Sequence, residues 1–281
     1  MIRGSCLCNS VRWEIDGPLA NMSHCHCSIC RKAHGAPFAT YASTAQENYR
    51  LVAGADAIRQ YESSPGFNRL FCGTCGSVVP EHIDGRAVIP TGCLDDDPGI
   101  SAAMHIFVAS KAPWYKITDD LPQHDTYPAD SGLSEIAKPE RDGAAPGHLH
   151  GSCLCGGVAY EVSAPFTVVH NCHCSRCRKS RAAAHTTNGF TAAEAVRFLK
   201  GEELLASYKV PDAKTYTPTF CRICGAGMPR LRPETGNAVI PMASLDDDPG
   251  RGADDHIFTG SKASWYEITG DLPQFHEMPS S

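Results

Sequence analysis

The chain is written twice. Gly4-Ser5-Cys6-Leu7-Cys8 returns as Gly151-Ser152-Cys153-Leu154-Cys155, and Cys25-His26-Cys27-Ser28-Ile29-Cys30 returns as Cys172-His173-Cys174-Ser175-Arg176-Cys177, both 147 positions on. Phe71-Cys72-Gly73-Thr74-Cys75-Gly76 matches Phe220-Cys221-Arg222-Ile223-Cys224-Gly225 at 149, and Leu94 to Gly99 matches Leu245 to Gly250 at 151. His105-Ile106-Phe107, Ser110-Lys111-Ala112, Trp114-Tyr115 and Asp120-Leu121-Pro122 recur as His256-Ile257-Phe258, Ser261-Lys262-Ala263, Trp265-Tyr266 and Asp271-Leu272-Pro273. Two small insertions separate colinear halves, so both copies must reach the same fold. We expect two domains, 1–124 and 148–281, each large enough to bury its own core. The linker 125–147 is rich in Pro, Ala, Gly and charge, with at most a helical turn at Leu133–Ala137.

Fifteen cysteines in C-x-C and C-x-x-C spacings, with no apolar leader at the N-terminus, point to reduced thiols binding metal in a cytoplasmic protein rather than to a disulfide scaffold. Each half offers Cys6/Cys8, Cys25/Cys27/Cys30 and Cys72/Cys75, or Cys153/Cys155, Cys172/Cys174/Cys177 and Cys221/Cys224. One partition joins the outer pairs into a closed four-cysteine site and leaves an open three-thiolate site. The other joins Cys27/Cys30 with Cys72/Cys75. Spacing alone does not choose, although the gap from Cys30 to Cys72 exceeds a usual zinc-ribbon loop of about 15–20 residues. The expected cofactor is Zn2+, about two ions per domain.

Alternation at Val11, Trp13, Ile15 and at Val158, Tyr160, Val162 predicts half-buried strands. Further strands are expected at Pro37–Tyr41, Ala57–Glu62, Arg69–Phe71, Ala87–Pro90, Leu205–Val210 and Ala238–Pro241, with short helical turns at Ser28–Ala33 and Ser175–Ser180. Turn signals at Asp16-Gly17-Pro18, Ser64-Pro65-Gly66, Asp84-Gly85 and Asp97-Pro98-Gly99 break up the strands. The fold class is mainly β, with zinc stapling short strands.

Taken in order, G-S-C-x-C, C-H-C-x-x-C-R-K, F-C-x-x-C-G, H-I-F-x-x-S-K-A-x-W-Y and D-L-P resemble the glutathione-dependent formaldehyde-activating enzyme family, which also includes centromere protein V. The resemblance spans nearly all of both halves. It implies several small coiled β-sheets pinned by a four-cysteine zinc on Cys6, Cys8, Cys72 and Cys75, with a second, active zinc on Cys25, Cys27 and Cys30. In the second copy the sets are Cys153, Cys155, Cys221, Cys224 and Cys172, Cys174, Cys177. It also implies carbon–sulfur lyase or synthase chemistry on glutathione or another small-thiol adduct. Three thiolates leave an open position on zinc, where an incoming thiol is held as thiolate or a water is activated. The alternative is a non-catalytic zinc-stapled interaction module.

His26 and His173 are candidate catalytic proton carriers. Alternation along an extended run instead turns such rings away from the metal, toward a backbone carbonyl. Arg31, Lys32, Arg178 and Lys179 are candidates for gripping substrate carboxylates, or for offsetting thiolate charge. His105 and His256 read as satisfied, partly buried histidines, Asp95–Asp97 and Asp246–Asp248 as turn formers, and the Trp-Tyr pairs as core. Cys93, which aligns with Ser244, reads as a small buried hydrophobe. The copies differ where His24 meets Asn171, His34 meets Arg181 and Glu81-His82 meets Arg230-Leu231, so one half is free to be the active one. A net charge of −6 gives no basic field for nucleic acid, and no apolar run reaches a membrane span. The expected partner is a small thiol or thiol adduct, and the oligomeric state is not legible.

Overall fold

The computed structural model describes residues 1–129 and 146–279, and within them the chain is mainly β. In each half a three-stranded antiparallel sheet leads into a five-stranded one. Ile2–Ser5, Arg12–Ile15 and Tyr49–Ala53 form the first small sheet. Its larger neighbour runs in the order His105–Ile106, Ala20–Cys25, Ala39–Ala45, Arg86–Pro90 and Glu81–Ile83, antiparallel except for the His105 edge. The second half repeats both. Leu133–Ala137 lies outside the described residues.

The predicted alternation produces these strands: in Arg12–Ile15, Trp13 and Ile15 are buried while Arg12 is exposed. Two expected strands shift. The one foreseen at Pro37–Tyr41 starts at Ala39 and runs on to Ala45, because Pro37 has no N–H to give the ladder. The one at Leu205–Val210 stops at Ser207, before the turn at Pro211. Ala20–Cys25 escapes a pattern reading because it buries the polar His24.

Helix α1 (Ser28–His34) and helix α2 (Ser175–Arg181) follow the C-x-C stretches, one residue longer than foreseen. Each begins on a cysteine: the Cys27 and Cys174 sulfurs accept from the amides of Cys30 and Cys177. Each stops after two turns in a left-handed residue, Gly35 in one and Ala182 in the other, where the methyl group costs about 1 kcal/mol.

The halves do not close their cores separately, as the two-domain expectation had it. Ile29 and Ala33 of α1 are buried with Val158, Tyr160 and Met242 of the second copy. Ala182, Ala184, Ala263 and Trp265 are buried with Trp13, Phe38 and Ile89 of the first. Of these, Ile29 and Trp265 are the large ones, each contributing about 1.5–3 kcal/mol to the other copy's core. Gly76, at φ +77°, sits where a Cβ would come within 2.6 Å of Phe220, and Gly225 stands in the same relation to Phe71. Cys93 is buried at this seam, its thiol donating to the Lys179 carbonyl.

Candidate metal centres and the cavity beside them

Four groups of cysteine sulfurs converge, each with all its sulfurs within 4.8 Å of one another: Cys6/Cys8/Cys72/Cys75, Cys153/Cys155/Cys221/Cys224, Cys25/Cys27/Cys30 and Cys172/Cys174/Cys177. This is the outer-pairs partition, and the ribbon-like one does not form. A tetrahedral zinc with Zn–S near 2.3 Å sets sulfurs about 3.8 Å apart. The observed separations of 3.5 and 3.7 Å for Cys6–Cys8 and Cys8–Cys72, and 3.4 and 3.9 Å for their second-half equivalents, fit such an ion.

The trios assemble from local structure. Cys25 ends a strand, Cys27 caps α1, and Cys30 falls in the helix's first turn, so the strand-to-helix corner aims three sulfurs at one point. Cys172, Cys174 and Cys177 repeat the arrangement. Their neighbours pull Cys174 down to about 3 by donating to its sulfur, while the same contacts and burial push Cys172 up. Three sulfurs crowded together, two of them buried, form a site whose negative charge a cation would balance. Among the described residues no fourth His, Cys, Asp or Glu completes either trio.

The surroundings of the trios differ. A cavity of about 620 Å³ opens over Cys172, Cys174 and Cys177, with Arg176, Arg181, Arg230 and Arg232 in its wall. At the equivalent positions the first copy carries Ile29, His34, Glu81 and Ile83. There the buried Arg69 pairs with Glu81 at 3.3 Å, and Tyr41 donates to His34 at 2.6 Å. Tyr127, expected in the linker, packs edge-on against Phe107 beside that trio. Asn188, Pro218 and Met278 replace Tyr41, Arg69 and Tyr127 in the second copy.

His26 and His173 turn away from the sulfurs, as alternation predicts, but they meet other histidines rather than backbone carbonyls. His26 Nε2 lies 2.8 Å from His105 Nδ1, whose ring contacts Asp119 through Nε2 at 2.9 Å. Asp119 thus holds the proton on His105 Nε2, leaving Nδ1 to accept from His26. Burial pushes His26 down to about 3, so its ring is neutral. His173 and His256 repeat the contact at 2.8 Å, but Gly270 stands where Asp119 would be. Neither His26 nor His173 lines the large cavity.

The basic pairs are divided. Arg31 donates to the carbonyls of His26 and Ser110, while Arg178 is mostly buried and its Nε meets no partner. The lysines form ion pairs between the two copies. Lys32 reaches Asp246 at 2.8 Å with both side chains only 8% exposed, and Lys179 pairs with Asp95. Asp97 and Asp248 accept from Gly99 and Gly250 as turn formers should. Sequence reading missed Asp119, Arg176, Arg230 and Arg232 as site residues; a position-by-position comparison of the two copies contains all of them.

A family model described as glutathione-dependent formaldehyde-activating enzyme matches residues 1–110 and 148–261, well over half the chain. A Halomonas elongata protein provisionally named glutathione-dependent formaldehyde-activating enzyme is 28% identical over 132 residues, 42% of this chain and 81% of that one. An uncharacterised lyase of Schizosaccharomyces pombe is 29% identical over 76 residues, 27% of this chain, and the chain spans about half, 53%, of that relative. A solved Rhodobacter sphaeroides protein is 24% identical, with 33% of this chain and 87% of that one covered and a TM-score of 0.28. With both copies matched and the cysteine motifs intact in each, the chain belongs to the glutathione-dependent formaldehyde-activating enzyme family, as a tandem duplication.

Proposed function

We propose that the protein is a zinc-dependent carbon–sulfur lyase or synthase acting on the adduct of a small anionic thiol and an aldehyde, and that the second half is the working copy. The observation that carries this reading is the arginine-walled cavity over Cys172, Cys174 and Cys177. Zinc on that trio would leave a fourth position for a soft ligand, at which a thiol is held as thiolate at neutral pH. Arg176, Arg230 and Arg232 offer planar donors to substrate carboxylates, and glutathione carries two. The names of the relatives support glutathione as that thiol.

In the synthetic direction the thiol sulfur forms a bond to the aldehyde carbon, and the proton it gives up ends on the former carbonyl oxygen. The lyase direction reverses both. His26 and His173 act here as positioning residues. Each ring, fixed by its histidine partner, anchors the peptide between two ligating cysteines. The first copy then serves as a metal-stapled scaffold, its space taken by Tyr41, Arg69, Glu81 and Tyr127.

Exchange NMR with 13C-formaldehyde and glutathione tests this on the zinc-loaded chain. The wild type should accelerate interconversion of free formaldehyde and the hydroxymethyl thioether. Cys174→Ser should abolish the acceleration and Cys27→Ser should keep most of it. No acceleration by the wild type, or equal loss in both variants, overturns the assignment.

A further inference from the structure

A second cavity, of about 350 Å³, lies on the other face of the sheet that carries the second trio. Asn171, His185 and Thr187 line it, whereas Cys172, Thr186 and Asn188 line the arginine-walled cavity, as the pleat requires. The two cavities share no residue. This one is closed on its far side by Trp114, Tyr115 and Tyr266, so both copies build it, and Lys116 and Asp271 stand exposed at its mouth.

The first copy fills the equivalent place with its own side chains. Asp119 accepts from His105 Nε2 at 2.9 Å, His24 bonds Thr40 at 2.8 Å, and Phe38 packs edge-on against His24. In the second copy these residues become Gly270, Asn171 and His185. A carboxylate has gone, leaving His256 Nε2 facing the cavity with no partner among the described residues, while His256 Nδ1 still meets His173. His185, only 1% exposed and in the cavity wall, has both ring nitrogens unpartnered.

We propose that this cavity binds a small organic carboxylate, whose carboxylate takes the position of the missing Asp119 side chain and accepts from His256 Nε2, with His185 beside it. The first copy displays the contact in covalent form, which identifies the ligand group. Phosphate or sulfate fits less well, because the wall holds no arginine, its one lysine, Lys116, stands exposed at the mouth beside Asp271, and the donor at the vacated Asp119 position is a single imidazole N–H. The volume left beyond a carboxylate is bounded by Trp114, Tyr115, Tyr266 and Ile268, which suits a flat apolar tail.

Benzoate is the probe, titrated calorimetrically into the zinc-loaded full chain, so the readout does not depend on any activity at the trio. One benzoate should bind per chain. Gly270→Asp restores the carboxylate and should weaken binding by at least about tenfold, the scale of one hydrogen bond to a charged group. A Cβ at this position falls 3.3 Å from Thr118, which has to give by a few tenths of an ångström, so folding and zinc content of the variant are checked first. His185→Phe copies Phe38 and should weaken benzoate likewise. A third comparison needs no variant: benzyl alcohol, the same ring without the charge, should bind at least about tenfold more weakly than benzoate. Absence of benzoate binding to the wild type, unchanged affinity in zinc-replete folded variants, or equal affinity for the alcohol each overturns the proposal.

Discussion

Thr118 Oγ1 and Thr269 Oγ1 meet at 2.6 Å, and the two threonines are the same position of the two copies. Equivalent positions touch only on an axis of two-fold symmetry. A second such meeting lies where His34 Nδ1 donates to the carbonyl of Arg181, its counterpart, at 2.8 Å. The halves are related as the subunits of a symmetric dimer would be, with an ion pair on either side of the axis.

One of those pairs is buried from water. Lys32→Ala leaves the Asp246 carboxylate with only His150 Nδ1, 3.5 Å away, in a site 8% exposed, and should cost about 3 kcal/mol, the low end for a broken buried pair. Lys32→Met combined with Asp246→Leu should recover most of that loss, since no charge is then left unpaired. Urea unfolding of the zinc-loaded proteins measures both; equal loss in single and double variants would show that the cost is packing alone.

His34 gives the seam a pH dependence. Burial pushes its ring down to about 4, while the unfolded chain returns it to near 6.5. Between those values the unfolded state binds a proton that the folded state refuses, so stability falls as pH drops through that window and levels off below it. At pH 5.5 this contributes about 1.4 kcal/mol of acid destabilisation. His34→Gln should shrink the fall in melting temperature between pH 7.5 and 5.5, whereas acid effects on the cysteine sites are common to both proteins and cancel.

Four sulfur clusters lead us to expect four zinc ions per chain. Cys27→Ser with Cys174→Ser should leave two, with little change in melting temperature, because the outer sites tie the sheets together while the trios sit at strand-to-helix corners. Cys6→Ser should by contrast lower the melting temperature of the whole chain, since the two cores exchange residues. Metal analysis alongside thermal unfolding decides it, and global unfolding of the double variant would assign the trios to the framework.

The arginine wall makes its own prediction. Arg230→Gln and Arg232→Gln should each raise KM for a dicarboxylate thiol adduct by about tenfold, one charge-assisted hydrogen bond, and leave kcat nearly unchanged. A neutral thiol such as 2-mercaptoethanol should be indifferent to either change.

The duplication, the mainly β class and the three cysteine groups of each half are legible in the sequence because they rest on local spacing and period, whereas which groups share an ion is not, since Cys6/Cys8 and Cys72/Cys75 converge only in the fold. Strands such as Ala20–Cys25 are not, because a buried His24 breaks the apolar alternation that reveals Arg12–Ile15. The exchange of Ile29 and Trp265 between cores is invisible as well: a buried residue looks the same whichever half buries it. The separate histories of the two sites were written in the chain all along, in the pairs Asp119/Gly270 and Glu81/Arg230, but only the cavities show what those exchanges do.

Phe38 and His185 face each other edge-on across the axis, ring centres 5.5 Å apart, at one and the same position of the two copies. In an assembly of identical chains every change at such a place encounters itself, so a histidine there would have to tolerate a second histidine. Joining the copies in one polypeptide lifts that constraint. Each side of the seam is then free to change alone, and a protein with two equal halves gains room for two unequal jobs.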